Sequence, residues 1–134
     1  MIYFWKKMKI FIADDDKDIL EFLSYNFTNA NYSVITSDNG IDALKKIEIE
    51  NPDVVILDIM MPGMDGIDVC QEIRDSGNNT VIIVILSARN ENYTKISAYR
   101  AGCNDFITKP INPKLLVSKI NGLIKIKYSS HDFK

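Results

Sequence analysis

Three consecutive aspartates, Asp14, Asp15 and Asp16, follow the apolar run KIFIA at 9–13, and a fourth, Asp58, follows DVVIL at 53–57. Adjacent like charges raise one another's pKa and cost stability, so such a group either faces water or surrounds a cation. If the two runs are neighbouring strands, Asp14, Asp15 and Asp58 converge at their carboxyl ends. An all-oxygen donor set with room for carbonyls and waters suits magnesium, which takes one or two carboxylates and keeps part of its hydration shell. Ser87 closes the run VIIVIL at 81–86, and Lys109 closes DFIT at 105–108. A carboxylate acceptor, a divalent cation, a hydroxyl donor and a fixed ammonium are the parts that phosphoryl transfer requires.

The elements that must position these groups can be read from periodicity. Short apolar runs at 9–13, 32–36, 53–57, 81–86 and 105–108 alternate with helical patterns. Helices are expected from after Asp16 to about Asn29, from Gly40 to Glu50, from Gly66 to Asp75 and from Asn90 to Ala101, the last closed by Gly102. A fifth is expected from Pro113, capped by Asn112, to about Lys127. Its Leu116, Val117, Ile120, Leu123 and Ile124 form one core-facing stripe. VVIL and VIIVIL lack polar alternation, as expected of strands buried on both faces of a parallel sheet. The expected fold is α/β: a doubly wound, five-stranded parallel sheet with five helices, flavodoxin-like. The strand order 2-1-3-4-5 is expected by analogy with flavodoxin-like folds, since right-handed crossovers alone do not fix it, and the site would then lie outside the carboxyl ends of strands 1 and 3.

The 134 residues, 46% hydrophobic and 25% charged, are those of one ordinary globular domain. A net charge of −2 offers no general attraction to nucleic acid. Cys70 and Cys103 lack metal spacing and read as small apolar fillers, in keeping with a reducing cytoplasm. MIYFWKK is too short for a signal-peptide core or a membrane span. Residues 1–7 are therefore expected to be an N-terminal extension or the product of an upstream start codon. The domain is expected at 8–127, with 128–134 a frayed tail or the start of a linker.

IADDD at 12–16, ILDIMMPGMDG at 56–66, LSA at 86–88 and AGCNDFITKPI at 101–111 occur in order at the ends of the appropriate strands. Over residues 8–127 the chain resembles a response-regulator receiver domain of bacterial two-component signalling. The resemblance implies that Asp58 accepts a phosphoryl group from a sensor histidine kinase or a histidine phosphotransfer protein. It implies that Asp15, Asp58 and the Met60 carbonyl bind Mg2+, with Asp14 acting through water. Ser87 and Lys109 would hold the phosphoryl oxygens, with N–H donors from Ala88 and Ile59. Met60 and Arg89 would tune the lifetime of the phosphorylated form, and Ile19, Phe22, Pro110 and Ile111 would dock the kinase. Ser87 and Phe106 would form the switch to an output face on helix 4, strand 5 and helix 5, by packing alone because Phe106 lacks a phenol hydroxyl. That face would control a downstream protein partner or a fused output domain, with a phosphorylation-dependent homodimer as one form. Asp105 and Lys119 would contribute dimer ion pairs there, whereas Leu115 replaces the acidic residue that DNA-binding relatives set opposite a basic one such as Lys95. Asp16 is expected only to cap helix 1.

Such a domain is not an enzyme in the usual sense, although it catalyses its own Mg2+-dependent phosphorylation and dephosphorylation. The resemblance implies a cytoplasmic protein with no membrane contact and no direct nucleic-acid binding. Taken singly, these residues have plainer readings: Asp14 as a turn residue, Ser87 as a cap, Lys109 as a solvated lysine, Phe106 as a core aromatic. Three other functions are weaker. A Mg2+-dependent phosphatase should carry a D-x-D-x-T motif, which is absent, and the single histidine, His131, lies in the tail. A flavodoxin-like cofactor binder needs a first loop that attracts phosphate, which Asp14 and Asp15 would repel. An unphosphorylated adaptor of the same fold would have no use for the full acid, hydroxyl and lysine set.

Overall fold

The computed structural model describes residues 7–132; most of the expected N-terminal extension and the last two residues of the tail lie outside them. Five parallel strands, β1 (Lys9–Ala13), β2 (Ser33–Ser37), β3 (Val54–Asp58), β4 (Ile82–Ser87) and β5 (Asp105–Thr108), form one sheet in the order 2-1-3-4-5. The helices α1 (Lys17–Asn29), α2 (Gly40–Glu50), α3 (Gly66–Asp75), α4 (Asn92–Arg100) and α5 (Pro113–Asp132) cover both faces.

Alternation along the strands sorts the core into two layers. Phe11, Val55, Leu57, Ile83 and Ile85 pack with Ala43, Val69 and Ala98 of α2, α3 and α4. Ile10, Ile12, Ile56, Val84 and Leu86 face Leu23, Phe27, Leu116 and Ile120 of α1 and α5. Every residue of β3 and β4 is buried, whereas the edge strands β2 and β5 are partly exposed, which explains the missing polar alternation in the two central runs. Cys70 and Cys103 lie in the first layer, where burial pushes their thiols up to about 11 and 12. Both are free thiols buried in that layer.

Asp16 caps α1: its carboxylate accepts the N–H groups of Asp18 at 3.0 Å and Ile19 at 3.4 Å. Asp16→Ala is expected to cost about 1 kcal/mol in urea unfolding without changing cation affinity. Asn112 caps α5 in the same way, accepting from Lys114 and Leu115.

The boundaries of five elements differ from expectation. β2, β3 and β4 each start and end one residue later, because the ladder pairs Ala13 with Ser37, Asp58 with Leu86 and Ser87 with Thr108. α4 starts at Asn92, since Glu91 is still extended and no side chain caps the helix. α5 continues past Lys127 to Asp132, so much of the expected tail is helical. KYSSHD contains no glycine or proline to stop it, and the Lys127 ammonium donates to the Thr80 carbonyl.

Candidate functional site

Strand register brings the chemistry to one rim. Ala13 lies level with Leu57, and Asp58 level with Leu86, so the residues at the ends of β1, β3 and β4 stand side by side. Ser87 pairs with Thr108, which leaves Lys109 one step beyond the end of β5. Its backbone N–H donates to the Ser87 carbonyl at 2.8 Å.

Asp14, Asp15 and Asp58 each offer a carboxylate oxygen within 4.8 Å of the others. Asp14 is fully buried and Asp58 is 3% exposed, whereas Asp15 reaches solvent. The Lys109 ammonium lies 3.2 Å from Asp14 Oδ2 and 3.1 Å from Asp58 Oδ1, joining two carboxylates that are distant in sequence. Asp14 Oδ1 accepts the Asp16 N–H at 2.9 Å, which fixes the orientation of the carboxylate. Burial first, then the charge of Asp14, pushes the Asp58 carboxyl up to about 6, against the pull of Lys109. For Lys109, burial acts to lower the pKa, but the hydrogen bond and charge of Asp58, aided by Asp14, outweigh it and leave the pKa raised.

Three carboxylates against one ammonium leave two negative charges at a largely buried rim. The donor set therefore fits a hard divalent cation in both charge and oxygen chemistry.

Gly66 fits tightly against the end of β3. A Cβ there would lie 2.3 Å from the Asp58 carbonyl oxygen, so only glycine lets α3 start this close to Asp58. The Gly66 N–H donates to Ile59 O at 3.0 Å. The Ile59 N–H is not available to a phosphoryl oxygen as expected. It donates to Leu86 O at 3.1 Å, because the β3–β4 ladder ends one residue later than the sequence suggests. Met60 and Arg89 are exposed beside the rim. Ser87 is buried, and its hydroxyl accepts the Arg89 N–H at 2.9 Å. Phe106 is partly buried against the layer that contains Ala98 and Cys103.

Ile19, Phe22, Pro110 and Ile111 meet, together with Leu23 and Lys109, around one groove of about 240 Å³. Phe22 is half exposed there. Asp105 and Lys119, expected to pair across a dimer, pair with each other at 3.3 Å within the chain, because β5 and α5 place them side by side. Leu115 is exposed on α5. Sequence reasoning did not single out Ser37, whose carbonyl accepts the Asp14 N–H at 3.1 Å. A serine before Asp38 and Asn39 looks like an ordinary turn residue, and no local signal marks it.

Fold and site together define a class: a doubly wound parallel domain with a carboxylate cluster and a bridging lysine at its topological switch point. Residues 10–121 match the family model of the response regulator receiver domain, and the chain belongs to that family. It is 36% identical over 117 residues to the alkaline phosphatase synthesis transcriptional regulatory protein PhoP of Bacillus subtilis (strain 168). That match covers 87% of this chain and 48% of PhoP, so the chain spans about half the length of this relative. The receiver domain of Francisella response regulator 1452 superposes with a TM-score of 0.82 at 33% identity, covering 92% of this chain and 98% of that one. A CheY-like receiver domain from Methanospirillum hungatei JF-1 shares the fold with a TM-score of 0.88 at 23% identity, over 93% of this chain and 99% of that one. Among the described residues, no helix is long and apolar enough to cross a membrane.

Proposed function

We propose that this domain is a phosphorylation-controlled switch that accepts a phosphoryl group on Asp58. The observation that carries the reading is Lys109 bridging the buried carboxylates of Asp14 and Asp58, with Asp15 within reach. Asp15 and Asp58, with the Met60 carbonyl, would hold Mg2+, and Asp14 would act through water. When bound, the ion supplies charge neutralisation at the transferring phosphoryl group.

The chain's own residues do the rest. An Asp58 carboxylate oxygen attacks phosphorus as the bond to the donor's phosphohistidine nitrogen breaks, and the resulting acyl phosphate is later hydrolysed by water. The Lys109 ammonium, already 3.1 Å from Asp58 Oδ1, is placed to follow the charge onto a phosphoryl oxygen. Ser87, whose Oγ accepts the Arg89 N–H, donates its own hydroxyl proton to a phosphoryl oxygen, and this draws the β4–α4 loop inward. Phe106 transmits the movement by repacking toward the face formed by α4, β5 and α5. Exposed Met60 and Arg89 tune access of the hydrolytic water.

The donor is a sensor histidine kinase or a histidine phosphotransfer protein, docked at the groove of Ile19, Phe22, Pro110 and Ile111. The output is a downstream protein partner or a fused output domain. Similarity to a transcriptional regulator twice as long supports the second form. The internal Asp105–Lys119 pair leaves fewer charges for a symmetric dimer, so any homodimer on this face depends more on apolar contact. The reading places the protein in the cytoplasm, without direct nucleic-acid binding by this domain.

With Mg2+ and acetyl phosphate, the wild type is expected to gain one hydroxylamine-labile phosphoryl group by intact mass. EDTA should prevent the gain, and beryllofluoride should bind in its place. A wild type that neither gains mass nor binds Mg2+ or beryllofluoride would contradict the reading.

A further inference from the structure

The cation site depends on how far the β1 carboxylates stand from Asp58 and the loop that follows it. Strand pairing levels these segments at their last paired residues, Ala13 with Leu57. Beyond that point Asp14 and Asp15 have left the sheet, and so has Met60. One further segment touches both sides: the turn between β2 and α2.

Ser37, the last residue of β2, accepts the Asp14 N–H on its carbonyl at 3.1 Å. Its buried hydroxyl donates within the turn, 3.0 Å from Asn39 O and 2.7 Å from Asp42 Oδ2. Asn39 in turn caps α2, accepting the Asp42 N–H at 2.8 Å. Three residues past Ser37, the buried Gly40 lies against the β3–α3 loop so closely that a Cβ would fall 1.9 Å from the Met64 carbonyl oxygen. The neighbouring Ile41 covers Gly63 of the same loop, its Cδ1 3.1 Å from where a Cβ on Gly63 would stand. The loop cannot retreat freely from this contact, because Gly66 holds its far end against the Asp58 carbonyl.

We propose that the turn from Ser37 to Gly40 is a positioning bracket for the cation site: it contributes no ligand but sets the separation between the Asp14–Asp15 side and the Asp58–Met60 side. The inference rests on the reading of this rim as a cation site. A Cβ at Gly40 pushes the loop away from the bracket through a backbone atom, which cannot rotate aside as a side-chain tip can. The ligand set then opens.

Opening has a signature that mere loss of stability does not. Mg2+ demands near-octahedral geometry at short distances, whereas Ca2+ accepts longer and more variable ones. In calorimetric titrations with Mg2+ and Ca2+, Gly40→Ala is expected to lower Mg2+ affinity by about tenfold, the lower range for groups that support metal ligands. Ca2+ affinity should fall much less, so the ratio of the two dissociation constants shifts toward Ca2+. Ser37→Ala, which keeps the backbone contact to Asp14 but loosens the turn, should shift the ratio in the same direction by a smaller factor, and it carries the test if Gly40→Ala does not fold. An unchanged ratio in the folded variants, whether both affinities hold or fall together, overturns the bracket. Wild type and Asp58→Ala separate the two readings: cation binding that is absent, or that survives Asp58→Ala, overturns the cation site itself and the bracket's role with it.

Discussion

Asp58→Asn is expected to abolish phosphoryl gain and, in metal-free buffer above about pH 6, to yield a domain more stable than the wild type. The first effect follows from removing the nucleophile. An amide nitrogen lacks the carboxylate's available lone pair, so labelling by acetyl phosphate should fall to background. The second follows from the raised pKa. Burial and Asp14 push the Asp58 carboxyl up to about 6, above the usual carboxylate value, so the folded state holds this proton more tightly than the unfolded chain does. The associated stability is fully present below about pH 4 and is lost as pH rises through about 6. Asparagine does not titrate and its carbonyl oxygen can still accept from Lys109. Urea unfolding should therefore show wild type and variant nearly equal near pH 4, with the variant ahead by about 1–2 kcal/mol at pH 8 after allowance for solvent screening. Millimolar Mg2+ should close or reverse the gap by stabilising only the wild type. A variant less stable than wild type at pH 8 without metal would refute the strained state of Asp58.

Lys109→Met is expected to have the largest effect on stability. Its ammonium lies within 3.2 Å of both Asp14 and Asp58, and its side chain is only 20% exposed. Methionine keeps much of the volume of the stem but leaves two buried carboxylates facing each other without a counter-charge. Breaking a buried ion pair on one side typically costs 3–5 kcal/mol, and partial exposure here lowers that to about 2–4 kcal/mol at neutral pH. Acidification should recover much of the loss, because protonating Asp58 removes the repulsion. Mg2+ should recover part of it too, since the variant's site carries one more negative charge than the wild type's. Phosphoryl gain should nevertheless fall, because no fixed positive charge follows the transferring oxygens. Urea melts at pH 5 and pH 8, each with and without Mg2+, check this prediction. A loss that is the same in all four conditions would mean that packing, not charge, is what Lys109 supplies.

Much of this architecture was legible because its signals are local. A run such as VIIVIL, with turn residues on either side, announces a strand buried on both faces. Asn112 followed by Pro113 announces a helix start. Boundaries were less legible where a neighbour decides them. Asp58 belongs to β3 because it pairs with Leu86, and nothing within DVVILD marks that extra rung. The same rung takes the Ile59 N–H into the ladder and away from the site. Likewise Asp105 and Lys119 look available to a partner until β5 and α5 are packed together.

The sequence by itself determined which aspartates, which serine and which lysine follow the strand-forming runs. Hydrophobic period and turn chemistry are properties of short segments. Only the tertiary structure decided that one ammonium serves both Asp14 and Asp58 and that Gly66 rests against the Asp58 carbonyl. It also revealed a turn that contributes no ligand yet touches both sides of the site. Those facts are distances between segments far apart in the chain, set by strand register and by the close approach of backbones, which no local pattern encodes.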